Sequence, residues 1–235
     1  MPGDDIDPSE LMQVTTATAT HELFKMGVRN TFLEGLRPLI PDAAVAGRAR
    51  TLRFLPMRED LVPEGAAPRE SPQRRAIESI RPGEVLVIDA GGELGAGTLG
   101  DMLAARFKYL GGAAIVVDGA VRDADQIREV GLPVWVKGVH GAASARVLWA
   151  ADMDLPIRCG GCAVVPGDFI LADPDGVVVI PARHAAQIAE VGAEIERREA
   201  FLRRKISLEG YSTDRAYPPD SATLAEYEEW KKHQA

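Results

Sequence analysis

The sequence predicts an α/β fold, and three observations carry that prediction. Apolar β-type runs at Val85–Asp89, Ala113–Asp118 and Val134–Lys137 alternate with helical stretches at Leu99–Leu110 and Asp123–Val130, which is the rhythm of a sheet layered with helices. Three further short runs, Cys162–Val165, Phe169–Ala172 and Val177–Ile180, are separated by Pro166-Gly167-Asp168 and Asp173-Pro174-Asp175-Gly176, both of them turn chemistry. At 235 residues, with 46% hydrophobic and 26% charged side chains, the chain has ordinary globular composition, which excludes disorder and coiled coil.

The remaining elements follow in order. Residues 9–26 read as an opening helical hairpin or bent helix, with Leu11, Val14, Leu23, Phe24 and Met26 apolar and Gly27 as its stop. Ala44–Leu55 is a strand ending at Pro56, and Met57–Glu70, with Pro63, Gly65 and Pro68, is a loop. Ser71-Pro72 supplies an N-cap and a proline at the first helical position, opening a helix to about Ile80. A glycine-rich loop joins Asp89 to Leu99. A long helix spans about Ala182 to Ile206, and a short amphipathic helix lies near Ser221–Trp230 after Pro218-Pro219. One domain over residues 1–210 and a tail over 211–235 are expected.

Composition narrows the function classes. Lys plus Arg is 27 and Asp plus Glu is 35, giving a net charge of −8, so electrostatic capture of nucleic acid or anionic lipid is not expected. Cys159 and Cys162 are too few for a disulfide framework and fit a reducing compartment. Met1–Glu10 lacks the cationic and apolar blocks of a signal peptide. Leu110–Val117 is far shorter than a membrane span, and the expected address is the cytoplasm.

Two segments stand out as sites. In Gly95-Ala96-Gly97-Thr98-Leu99-Gly100-Asp101, Thr98 and Asp101 have capping-box spacing, so the glycines should offer free N–H groups to a carboxylate or phosphate. The plain alternative is a loop that only caps its helix, and the glycine order does not match a dinucleotide fingerprint. In Val116-Val117-Asp118-Gly119-Ala120-Val121-Arg122-Asp123, a buried-looking strand turns at once into a helix, and ligands bind at such strand ends. Arg122 can fork a carboxylate and Asp123 can ligate a hard cation; the alternative is a surface ion pair with Asp123 as N-cap.

Other groups read more simply. Cys159-Gly-Gly-Cys162 is a single CxxC, expected to be buried structural thiols. Lys137 could form a Schiff base but fits a strand-end lysine reaching solvent. His140, flanked by Val139 and Gly141, could line a pocket or simply be exposed. His21, His184 and His233 share no metal spacing. Asp173-Pro-Asp-Gly176 lacks the remaining ligands of a calcium loop and reads as a hairpin turn.

The stretch GTLGDMLAARFKYLGGAAIVVDGAVRDADQI, followed by LPVWVKG and VVPGDFILADPDGVVVIP, resembles the RraA-like proteins. These include 4-hydroxy-4-methyl-2-oxoglutarate / 4-carboxy-4-hydroxy-2-oxoadipate aldolases. The resemblance covers about residues 9–210 and implies an RraA-like swivelling α/β/β sandwich, with a helical N-terminal segment and, in this chain, a C-terminal helical extension. It also implies a homotrimer or homohexamer with sites between subunits. Carried over by motif, Arg122 would clamp the substrate carboxylate and Asp123 would ligate Mg²⁺ (or Mn²⁺) directly. Asp101 would hold metal-bound water, and the amides of Gly100, Asp101 and Met102 would bind the pyruvyl carboxylate. Glu199, from a neighbouring subunit's C-terminal helix, would complete the shell. The helix also carries Glu190, Glu194 and Glu196, a polarity that points to an interface, with Ile195, Phe201, Leu202 and Ile206 free to dock it elsewhere. One departure is Gln126, where the family's aldolases commonly carry an acid; Asp125 stands beside it.

The implied chemistry is cleavage of a 4-hydroxy-2-oxo acid to pyruvate and a carbonyl product, with oxaloacetate decarboxylation through the same enolate. Two rivals remain: an acidic regulator of an RNA-degrading endonuclease, which the family also contains, and an aldolase using Lys137.

Overall fold

The computed structural model describes residues 6–60 and 71–233; most of the expected loop after Met57 lies outside them. A 3-10 turn at Pro8–Gln13 leads into α1 (Thr16–Lys25), the bent opening that the apolar spacing predicts. Then come β1 (Arg37–Pro38), β2 (Val45–Pro56), α2 (Pro72–Glu78), β3 (Val85–Gly97), α3 (Asp101–Tyr109), β4 (Ala114–Val121), α4 (Ala124–Val130) and β5 (Val134–Val139). They are followed by β6 (Leu148–Met153), β7 (Ile157–Cys159), β8 (Cys162–Val164), β9 (Phe169–Ala172), β10 (Val177–Ile180), α5 (Ala185–Glu209), α6 (Thr213–Ala216) and α7 (Ser221–Lys232).

The main sheet runs β1-β5-β4-β3-β2-β9-β10, with β6 also on β2. β2 through β5 are parallel neighbours connected through α2, α3 and α4, while β9 and β10 form an antiparallel hairpin. Strand β2 joins the two parts: Val45–Arg48 pair with β9, Ala49–Arg53 with β3, and Leu52–Pro56 with β6. Three apolar layers result. Leu86, Ile88, Ile115 and Val117 meet Ala76, Ala104, Phe107 and Ile127 of the helices. Val87, Val116 and Trp135 on the other face meet β7, β8 and β10. Phe169, Leu171 and Val178 meet α1 and the start of α5. Period-2 alternation in a strand feeds both faces at once, so β4 is buried throughout.

Three local expectations need correction. The stretch after Asp89 is not a loop: β3 continues to Gly97 with register shifts at Asp89/Glu93 and Glu93/Gly97. Thr98 does not cap α3, because its N–H and hydroxyl both donate to Ala120 O (2.8 and 3.2 Å), and Gly100 takes the N-cap position without a side-chain bond. Of the α5 residues Ile195, Phe201, Leu202 and Ile206, Phe201 and Leu202 are also not left open, whereas Ile206 stays exposed. Phe201 and Leu202 are buried in a cluster with Tyr227 and Trp230, so the tail folds back as a partner for its own helix. Glu194 accepts from Tyr227 Oη (2.9 Å), and Glu196 accepts from Thr15 and Thr18 hydroxyls (both 2.6 Å). Glu194 and Glu196 are thus used within the chain, while Glu190 and Glu199 make no such bond among the described residues.

Candidate active site

Backbone hydrogen bonds stitch together the ends of three parallel strands. Arg122 N donates to Leu99 O (2.9 Å), Gly97 N to Ala142 O (2.8 Å) and His140 N to Val121 O (2.9 Å). These bonds bring the Gly97–Gly100 segment flat against the end of β4. A Cβ at Gly97 would lie 2.6 Å from Arg122 N, and one at Gly100 would collide with Asp123 Oδ2 and stand 2.9 Å from Arg122 Nε. Glycine at position 100 therefore leaves a notch facing both side chains.

Arg122 Nε lies 3.2 Å from Asp123 Oδ2, and the two side chains remain 43% and 36% exposed. A surface pair of this kind contributes little to stability. Asp123 takes φ 55, ψ 40 in the left-handed region and makes no capping bond to α4. Such backbone costs a non-glycine residue about 1–3 kcal/mol and is retained mostly where it aims a functional group. The Asp123 carboxylate is thus neither a helix cap nor a core partner.

The structure gathers Arg122, Asp123 and Gly100. Asp101 follows at the first position of α3, half-buried, and no hydrogen bond ties it to the pair among the described residues. Met102 is exposed beside it. The broader anion cradle does not form: Gly95 N bonds Glu93 Oε1 (2.5 Å), and Gly97 N and Thr98 N are taken by Ala142 and Ala120. Among the described residues, the first amides of α3, counted from its N-cap Gly100, are left without an intrahelical acceptor. Glu199 sits elsewhere, lining a cleft with Thr15, Glu196, Arg203 and Tyr217. Asp125 is engaged by Arg128 and gives no sign of replacing the charge absent at Gln126. Among the described residues no three His, Cys, Asp or Glu converge to hold a metal.

Sequence reasoning missed a second polar feature. Arg53, Asp89 and Asp118 stand in register across β2, β3 and β4, and Lys137 Nζ of β5 lies 2.5 Å from Asp118 Oδ1. Asp118 is almost wholly buried, and its Oδ2 also accepts from Gly160 N (2.8 Å). Burial, with a lesser contribution from the Asp118 charge, pushes the Asp89 carboxyl up. The signal was present in two apolar runs that each end in aspartate. Lys137 therefore pairs with a buried carboxylate while keeping some exposure, and is no free amine.

The remaining candidates resolve as structural. Asp173 Oδ1 accepts from Asp175 N (2.9 Å) in the β9–β10 turn and its two oxygens also take Thr16 N–H and O–H (both 2.8 Å). Cys159 and Cys162 are free, buried, cross-strand partners in β7–β8. Burial raises both thiols, Cys162 to about 11. Since the thiolate is the nucleophile, neither should be alkylated by iodoacetamide in the native protein, whereas both should react in denaturant; rapid native labelling, read by mass spectrometry, would contradict this.

Among the described residues no helix is long and apolar enough to cross a membrane. The model of the RraA-like family (Aldolase/RraA) matches residues 14–179. A 4-hydroxy-4-methyl-2-oxoglutarate aldolase of Thermus thermophilus is 36% identical over 139 residues, 59% of this chain and 77% of its own. A Halalkalibacterium halodurans protein provisionally named as the same aldolase is 31% identical over 172 residues, 73% of this chain and 76% of its own. The crystal structure of Streptomyces coelicolor RraAS2, described as an unusual member of the RNase ES inhibitor RraA family, superposes with TM-score 0.76 at 40% identity, covering 83% of this chain and 94% of the other. With a family model spanning both the strand-end pair and the β9–β10 hairpin, this chain belongs to the RraA-like family.

Proposed function

We propose that this protein is a divalent-metal-dependent carbon–carbon lyase that releases pyruvate from a 4-hydroxy-2-oxo acid and decarboxylates oxaloacetate through the same enolate. The observation that carries this reading is the Arg122–Asp123 pair, aimed from a left-handed turn into the notch at Gly100. Mg²⁺ demands few protein ligands and keeps several waters. An open single carboxylate suits it, and the lack of a converging acidic cluster among the described residues disfavours an all-protein cage. Asp123 would hold Mg²⁺ or Mn²⁺ directly, Asp101 and Glu199 of a second subunit through water, in a homotrimer or homohexamer. Bound there, the ion supplies Lewis-acid stabilisation of the enolate oxygen.

The chain's own groups position the substrate. The guanidinium of Arg122 forks the C1 carboxylate, and the first amides of α3 add donors at a helix N-terminus. Arg122→Lys keeps the charge but not the planar fork. It is expected to lose on the order of 10²–10³ in kcat/KM, the scale of one positioned electrostatic contact, with weaker binding of oxalate; unchanged oxalate affinity would contradict the clamp.

The test is a lactate-dehydrogenase-coupled assay for pyruvate over a panel of 4-hydroxy-2-oxo acids and oxaloacetate, with Mg²⁺ and with excess EDTA. Turnover that EDTA removes supports the reading, and turnover indifferent to EDTA overturns it. Likeness to RraAS2 and the charge of −8 favour a second reading, an acidic regulator of an RNA-degrading endonuclease. Inhibition of such an enzyme without any pyruvate release would select it.

A further inference from the structure

Resting on the lyase reading above, we propose that His140 is a further catalytic residue, a neutral hydrogen-bond donor to the substrate oxygen at C2. Its position follows from the strand ends: Val121 pairs with Val139, and His140 N donates to Val121 O, the carbonyl immediately before Arg122. The imidazole is then fixed by its own loop. Ala142 N donates to His140 Nδ1 at 3.0 Å, while Ala142 O accepts from Gly97 N. One residue thus ties the ring to the segment that forms the Gly100 notch.

This bond decides the tautomer. A ring nitrogen that accepts a backbone N–H carries no proton, so in the neutral imidazole the proton is on Nε2. His140 is half-buried, and its Nε2 has no hydrogen-bond partner among the described residues. The ring is therefore a preorganised donor through Nε2. Preorganised donors act where charge develops. When the C3–C4 bond breaks, its electron pair becomes the C2–C3 double bond and leaves negative charge on the C2 oxygen. The C4 hydroxyl passes its proton to water and becomes the second carbonyl, and the enolate then takes a proton from water at C3. His140 keeps its proton throughout.

Two substitutions separate this role from loop support. In His140→Asn the amide oxygen can replace Nδ1 as acceptor, but no donor reaches the Nε2 position. In His140→Gln a donor reaches Nε2, but the Ala142 acceptor is lost. The readouts are pyruvate release from oxaloacetate, exchange of pyruvate methyl protons with D₂O followed by NMR, and oxalate affinity by calorimetry. The expected result is a loss of about 10²-fold in both reactions for Asn, with oxalate bound within a few-fold of wild type, and recovery to within about tenfold for Gln. The reverse order, Asn near wild type and Gln impaired, would overturn the donor and leave a loop tether. Wild-type protein that neither releases pyruvate nor exchanges its protons would sink the lyase reading itself, and the proposal with it.

Discussion

Asp123→Asn is expected to reduce pyruvate release by about 10³-fold or more while leaving the melting temperature within about 2 °C. The chemical half of that expectation follows from the ligand's charge. An amide oxygen is a far weaker partner for a hard cation than a carboxylate, and loss of the several kcal/mol a Lewis acid contributes is worth a factor of ten for each 1.36 kcal/mol. The structural half follows from the backbone. Asparagine tolerates the left-handed region about as well as aspartate, so the φ of 55° is kept. The Asp123 side chain is partly open and caps nothing, so folding does not depend on its charge. Calorimetry with Mg²⁺ and Mn²⁺ beside the pyruvate assay checks both halves. Wild-type turnover in the variant would remove Asp123 from the chemistry, and a collapse in melting temperature would show that it is structural.

The sequence made the architecture legible where one period dominates. β4 and β9–β10 were visible as unbroken apolar runs between turn residues, and Ser71-Pro72 marked the start of α2 through a cap that forms as expected. It was misleading where a local signal met a tertiary competitor. Thr98 had the spacing of a cap, yet a parallel strand end offered its N–H and hydroxyl the Ala120 carbonyl first. β1 and β7 are too short to show a period, and β6 depends on pairing with the end of β2 rather than on its own pattern. Of the site, Arg122 and Asp123 were legible because arginine and aspartate straight after a buried strand have no packing role to fill. Gly100 was legible as an amide donor in a glycine-rich segment, but the steric reason for glycine there is a contact between segments that no spacing encodes. His140 was least legible, since its meaning lies in a bond from Ala142 that fixes a proton.

Lys137→Met is expected to cost stability rather than chemistry. Asp118 is almost wholly buried and has Lys137 as its counter-charge at 2.5 Å, and removing one member of such a pair strands the other charge, at about 3–5 kcal/mol. Lys137 itself keeps some exposure, so the lower end, about 3 kcal/mol, is the appropriate figure. For a chain of this size that lowers the melting temperature by roughly 6–12 °C. Asp118→Asn added to Lys137→Met should recover most of the loss, because the amide oxygen still accepts from Gly160 N and no unpaired charge remains. Per folded molecule, pyruvate release should stay within about tenfold of wild type, since removing one positioned contact costs more than that only when the contact acts at the transition state. Borohydride with pyruvate should trap no adduct, because an ammonium held by a buried carboxylate is not the free amine that Schiff-base formation needs. A stable but inactive Lys137→Met protein, or a borohydride adduct at Lys137, would reverse this assignment and replace the metal-dependent route by a covalent one.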